Sequence, residues 1–329
     1  MATTQEEEDT PMATSEQSHQ LKDTSKPSKP QDRTKSNSSK KKKRASKDSD
    51  SDDESDSDPS HINVDFEFFD PQPHDFHGIK QLLRQLFDAD SQLLDLSALA
   101  DLILEQKLVG STVKVDGMEG DPYSFLSVIN WAMHKENPAI KALSTYLLDR
   151  ASNTPLSPLL TPLLSATPPE NTNTAIILSE RLLNMPADIS PPSYKMLLEE
   201  IQLAIEDNEP YSFTNYLLIS KVYTEIESKL PISDDETTTT TRPTKRNKLS
   251  TKKKKKASTQ TFNFHPEDDF FISQVDKDEA AVVYSYKHEP PEAAADAKRA
   301  FQDFGILPKG RMILLSREAF EKAVETMQP

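Results

Sequence analysis

Cysteine is absent from the 329 residues, which removes disulfide frameworks, thiol nucleophiles, zinc fingers and iron–sulfur clusters together and suits a reducing compartment. Glycine is scarce. Six glycines beside 24 prolines leave little material for a phosphate cradle, where the backbone must approach the phosphate closely. Neither G-x-G-x-x-G nor G-x-x-x-x-G-K-S/T occurs. The nearest approach, Gly117-Met118-Glu119-Gly120, has Asp116, Glu119 and Asp121 around it, which would repel a phosphate, so a turn between two strands is expected. No apolar run reaches the ~18 residues of a membrane span. The opening TTQEEEDT is not a basic region followed by an apolar stretch, so neither insertion nor secretion is indicated, and the reading is of a soluble intracellular chain.

The usual catalytic constellations are missing as well. No G-x-S-x-G elbow is present, and His265 and His288 have no evident nucleophile partner. Asp268-Asp269 in FHPEDDFF reads as a pair of solvated carboxylates, because adjacent residues point apart and acid–base chemistry needs a cleft to tune a carboxylate. His74 and His77, at i and i+3 near Asp70 and Asp75, have a spacing that could present two imidazoles to a metal, but polar residues at a helix start ordinarily cap it. No catalytic, metal or cofactor site is assigned.

Hydrophobic residues make up 35% and charged residues 28%, too polar a mixture to build an average core along the whole length. The deficit is local. Residues 1–60 contain one large aliphatic side chain, Leu21, and read as a disordered tail. Residues 232–260 read as a disordered acidic-then-basic linker between the first part of a domain, 61–231, and its C-terminal part, 261–329. Both polar tracts carry lysine strings of the kind that import receptors bind: Lys40, Lys41, Lys42, Lys43 and Arg44 in the tail, and Lys245, Arg246 and Lys252, Lys253, Lys254, Lys255, Lys256 in the linker. Ser49, Ser51 and Ser55 each have an acidic residue three positions on (Asp52, Glu54, Asp58), the pattern of an acidophilic kinase.

The net charge of −15 divides unevenly. The tail holds 11 basic and 14 acidic residues and the linker 9 and 3, which leaves the domain with 19 basic against 37 acidic residues, a charge of −18. Such a surface repels nucleic acid and attracts basic partners.

Periodicity places the elements of the domain. Ile62, Val64, Phe66 and Phe68 alternate with polar residues as a half-buried strand, and Phe76, Ile79, Leu83, Leu86 and Phe87 share a helix face. Leu96, Leu99, Leu102 and Ile103 mark a second helix. The same leucines with Leu104 have export-signal spacing, although an amphipathic core helix produces it too. Strands are expected at 113–115, 123–129, 211–226, 281–286 and 312–315. Helices are expected after Ser190-Pro191-Pro192 and over 317–327 with Ser316 as N-cap. The five prolines of 151–173 forbid a regular helix or central strand, so that stretch is expected to be a surface insertion. Alternating strands and helices make this an α/β domain with a single mixed sheet.

Seven blocks in order carry a resemblance: NVDFEFFDPQPHDFHGIKQLLRQLF, LADLIL, DPYSFLSVIN, LSERLLNMP, PPSYKMLLEEI, FHPEDDFF and GRMILLSREAFEKAVE. Together they resemble the BCCIP family, its fungal branch in particular, over roughly 61–329. The resemblance implies a domain similar to the GNAT acetyltransferase fold without its activity, and no catalytic residues or cofactor. It further implies a nuclear protein that shuttles to the cytoplasm, with import and export receptors as partners. Fungal relatives are associated with export of proteins, a phosphatidylinositol-phosphate kinase among them, and with chaperoning a basic large-subunit ribosomal protein. Animal relatives are described as partners of a recombination-mediating tumour suppressor and of a cyclin-dependent-kinase inhibitor, so a regulatory role in DNA repair and the cell cycle is the alternative.

Overall fold

The structure, a computed structural model, describes residues 64–226, 260–275, 280–287 and 305–327. The lysine strings, the candidate phosphoserines, residues 232–259 of the linker and His288 lie outside the described residues. Among the described residues eight strands form one sheet: β1 (Glu67–Phe69), β2 (Ser111–Lys114), β3 (Ser124–Asn130), β4 (Thr174–Arg181), β5 (Asn215–Glu225), β6 (Thr261–Asn263), β7 (Ala281–Tyr284) and β8 (Ile306–Ser316). They lie in the order β1-β2-β3-β4-β5-β8-β7, with β6 on β5. Every pairing is antiparallel except β4 with β5.

Helices cover both faces, which is why the central strands read as apolar runs (AIIL, YLLI) rather than as an alternation. On one face lie α1 (Phe76–Phe87), α2 (Leu96–Glu105), α3 (Trp131–His134), α4 (Pro138–Ala151) and α5 (Ser157–Leu163). These cover Phe125 and Ile129 of β3, Ile176 and Leu178 of β4, and Leu217 and Ile219 of β5. The intervening residues Val128, Ala175, Ile177, Tyr216 and Leu218 face the opposite layer, α6 (Ser190–Glu206), α7 (Asp268–Ser273) and α8 (Arg317–Thr326). No described helix is long and apolar enough to cross a membrane.

Most elements fall where the periodicity places them. Ser316 caps α8 by accepting from the Ala319 N–H at 3.3 Å, and Asp95 caps α2 by accepting from Ser97 and Ala98. Gly117 (φ 75°) sits in the turn between β2 and β3. Gly310 is held by packing: the ring of Tyr284 lies against it from the paired strand, and a Cβ there would collide with the ring.

The proline-rich segment departs from expectation. Helix α5 forms within 151–173 with Pro162 inside it, while Leu156, Leu160 and Leu164 are buried in the core at i, i+4 and i+8. Pro158 falls in the first turn, where no N–H is needed, and burial of the leucine stripe outweighs the single interior bond lost at Pro162. Residues 138–151 and 174–181 were assigned no element by periodicity. Their signals are of another kind: Asn137 accepts from Ala139 N ahead of Pro138 at the first helical turn, and β4, one strand of the parallel pair, is buried at seven of its eight positions.

Candidate functional site

The parallel pairing of β4 and β5 stops at Leu178 and Ile219. Beyond it the two strands follow different neighbours: Ser179 to Arg181 stay paired to β3, while Val222 to Thr224 pair with β6 and β8. A fork opens between parallel strands at their C-terminal ends, the place where α/β sheets commonly receive ligands. Its contents therefore decide what this domain can do.

Charged side chains fill the fork. Lys221 on β5 places Nζ 2.8 Å from Glu180 Oε2 on β4, and His265 Nε2 is 3.1 Å from the other Glu180 oxygen. Arg181 grips Glu267 with both terminal nitrogens, the Nη2–Oε2 bond being 3.0 Å, and also donates to Ser190 Oγ at the start of α6. Ser190 in turn donates to Glu267 at 2.9 Å. Ser220 Oγ donates to Asp268 Oδ2 at 2.6 Å, and Arg311 on β8 approaches the same oxygen at 3.6 Å. The turn His265–Asp268 thus ties β4, β5, β8 and α6 together from the fork's open end. Within the cluster a cavity of only ≈ 10 Å³ is left, lined in part by Ser179, Tyr194, His265 and Asp268, room for about one water, while a cavity of ≈ 200 Å³ lies on its outer side against Arg181, Leu183, Met185, Phe264 and His265.

These surroundings sort the carboxyls. Burial pushes Asp268 up to about 6, more than the His265 and Ser220 contacts can offset. Burial would raise Glu180 too, but Lys221 and His265 outweigh it and hold the group at about 2, while Arg181 keeps Glu267 below the usual range against the same burial. The signs follow. Asp268 ionises at 3.8 in an unfolded chain, so the folded state loses stability as pH rises from there through about 6. Glu180 acts the other way, its contribution being present above 4.5 and lost as pH falls toward about 2. Asp268→Asn should therefore match the native chain at pH ~3 and exceed it at pH ~7 by on the order of 3 kcal/mol in urea unfolding. Parallel pH profiles would contradict that assignment.

The expected pair of solvated acids is thus half wrong. Asp268 is buried in the fork, and Asp269 is exposed and accepts from Asn263 Nδ2 at 2.7 Å. The two residues do point apart, but one of them points inward. Sequence reasoning missed the cluster, although single charges inside apolar strand sequence (LSER, LISKVY, GRMILL) were its available signal. His74 and His77 diverge in their contacts: His74 Nε2 lies 2.9 Å from the Met118 carbonyl and 3.1 Å from Lys114 Nζ, while His77 sits edge-on to Phe76. Asp75, buried beside them, is paired with Lys114 at 2.6 Å. Among the described residues no His, Asp and Glu cluster could hold a metal. Leu96, Leu99 and Leu102 are buried in the core and Leu104 packs against it.

A simple rule governs the charges of the whole domain. Among the described residues five acidic ones are buried, Asp75, Asp90, Glu180, Glu267 and Asp268, and five basic ones, Lys114, Arg150, Arg181, Lys221 and Arg311. Each acid has one of those cations beside it: Asp75 with Lys114, Asp90 with Arg150, Glu180 with Lys221, Glu267 with Arg181, and Asp268 with Arg311. The described residues hold 29 acidic and 15 basic side chains, so removing five of each leaves 24 acids against 10 bases outside the core. Neutralising the interior sharpens the acidity of the exterior.

Sheet order, the filled fork and this distribution define a single-sheet mixed α/β domain with self-neutralised buried charge and an acidic surface. The chain belongs to the BCCIP family, whose sequence model matches residues 61–271. It is similar to protein bcp1 of Aspergillus fumigatus, 49% identical over 265 residues that cover 80% of this chain and 86% of that one. Protein bcp1 of Schizosaccharomyces pombe is 46% identical, over 80% and 88% of the two chains. The crystal structure of BCP1 from Saccharomyces cerevisiae superposes with a TM-score of 0.53 at 26% identity, covering 85% of this chain and 94% of that one.

Proposed function

We propose that the protein is a non-enzymatic nuclear adaptor and chaperone that escorts basic proteins, a large-subunit ribosomal protein among them, and serves nuclear export. The observation that carries this reading is that, among the described residues, 24 acids stand against 10 bases outside the core. An exposed basic protein binds RNA indiscriminately through its lysines and arginines, and an acidic surface that covers them suppresses that binding while steering association. The lysine strings around Lys40–Arg44 and Lys245–Lys256 would supply nuclear entry, and phosphorylation of Ser49, Ser51 and Ser55 would add negative charge beside the first of them. A phosphatidylinositol-phosphate kinase is a further candidate cargo.

The sheet supports a likeness to the acetyltransferase fold in its parallel β4–β5 pair and the fork beyond it. What fills the fork argues against acetyl transfer. A cofactor pyrophosphate would need amides from a glycine-bearing loop, and the connection Leu182–Ile189 between β4 and α6 contains no glycine. Side chains that would have to vacate the fork are held by the charge pairs described above. Co-purification from nuclear extract tests the reading: ribosomal proteins and export factors are expected in the bound fraction. Recombination factors and cell-cycle regulators in their place would favour the alternative, a regulatory role in DNA repair.

A further inference from the structure

Helices α6 and α8 pack side by side and leave a cleft of ≈ 190 Å³ between them, lined by Leu198, Ile201, Gln202, Arg317, Glu321 and Glu325. Its volume is that of about six waters, the scale of one long side chain. The floor is apolar, because Leu198 and Ile201 belong to the stripe that α6 turns toward the sheet. The rim is not.

Accounting for the polar groups around the cleft shows what is still open. Arg317 is engaged, its Nε donating to Glu321 Oε1 at 2.9 Å. Gln202 spends its amide nitrogen on Glu206 at 3.1 Å, which leaves its carbonyl oxygen as an acceptor. Glu325 has no ion pair with any described residue. Beneath the helices the Tyr216 hydroxyl is fully buried, stacked on Phe320, and without a hydrogen-bond partner among the described residues. Burial raises that hydroxyl to about 12, the Arg317 charge lowering it and the Glu321 charge raising it by lesser amounts. A carboxylate and an amide oxygen therefore line a space with an apolar floor. Lysine and arginine are the side chains that bring donors and no acceptor, on a methylene stem suited to such a floor.

We propose that the α6–α8 cleft is a docking site for a single lysine or arginine side chain of a basic protein partner. The stem lies on Leu198 and Ile201, and the head group donates to Glu325 and the Gln202 oxygen. The charge of the site favours this occupant: among its lining residues Glu321 and Glu325 outnumber Arg317 two to one, and Arg317 is already paired with Glu321. The proposal rests on the escort reading and adds a location to it, a place where a diffuse field becomes a specific contact.

The test uses the full chain and a short fluorescent Lys/Arg-rich peptide, with binding followed by anisotropy. Glu325→Lys is compared with Glu119→Lys, which makes the same charge change on the exposed turn between β2 and β3. Glu325→Lys is expected to weaken binding about tenfold and Glu119→Lys by about twofold or less, since one loses a direct contact and the other only distant field. Leu198→Ser should also weaken it. Equal losses from the two reversals would overturn the cleft while leaving the escort reading intact. No binding of the peptide by the native chain would overturn both. A native dimer that Glu325→Lys converts to a monomer would place a second copy in the cleft and overturn the proposal. Tighter peptide binding after serine replaces Lys252–Lys256 would place the chain's own basic tract there, with the same consequence.

Discussion

Glu267→Ala is expected to destabilise the domain by ~3–5 kcal/mol, read from urea or guanidinium unfolding at neutral pH. The carboxylate is buried and accepts from both terminal nitrogens of Arg181 and from Ser190. Removing it leaves a guanidinium in the fork with one hydroxyl for company, and an uncompensated buried charge costs far more than the pair contributes in net terms. The double variant Arg181→Met with Glu267→Leu separates the two quantities. It should recover most of the loss, because desolvating both charges consumes much of their mutual attraction. A single variant that unfolds like the native chain would mean that the fork is open to water and its charges are screened.

Leu99→Ala should cost ~2–5 kcal/mol, the price of emptying a fully enclosed site between α2 and the sheet. Leu108, exposed at 45%, is the internal control, and its truncation should move stability by no more than ~0.5 kcal/mol. Both are measured by denaturant midpoints. The result bears on the export-signal reading of Leu96, Leu99, Leu102 and Leu104, because side chains committed to the core reach a receptor only if α2 leaves the domain. Nuclear accumulation of a variant that remains folded is the observation that would favour a signal there.

How much of this was legible in the sequence depends on the range of the interaction involved. Helices α1, α2, α6 and α8 announce themselves because each amphipathic stripe repeats within a few turns, joined by a side-chain cap in α2 and α8 and by first-turn prolines in α6. Strand β4 hides because a strand buried on both faces has no alternation to read. Helix α5 hides for a different reason: its prolines carry a strong local signal, and the burial of Leu156, Leu160 and Leu164 that overrides it is tertiary. The fork was the least legible part. Arg181 meets Glu267 across 86 residues and Lys221 takes the Gln85 carbonyl across 136, so Asp268 looked like one solvated acid in an acidic run. The overall charge split, in contrast, could be counted directly, and the structure sharpens it by showing that the interior cancels its own charge.

That acidic exterior is the central claim, and ionic strength tests it most directly. Affinity for a basic large-subunit ribosomal protein should fall at least about tenfold between about 50 and about 300 mM salt, since exposed charges on both partners are screened as the Debye length shortens. An affinity that is the same at both concentrations would contradict the account, because contacts indifferent to salt would then be holding the partner and the acidic surface would be incidental to binding.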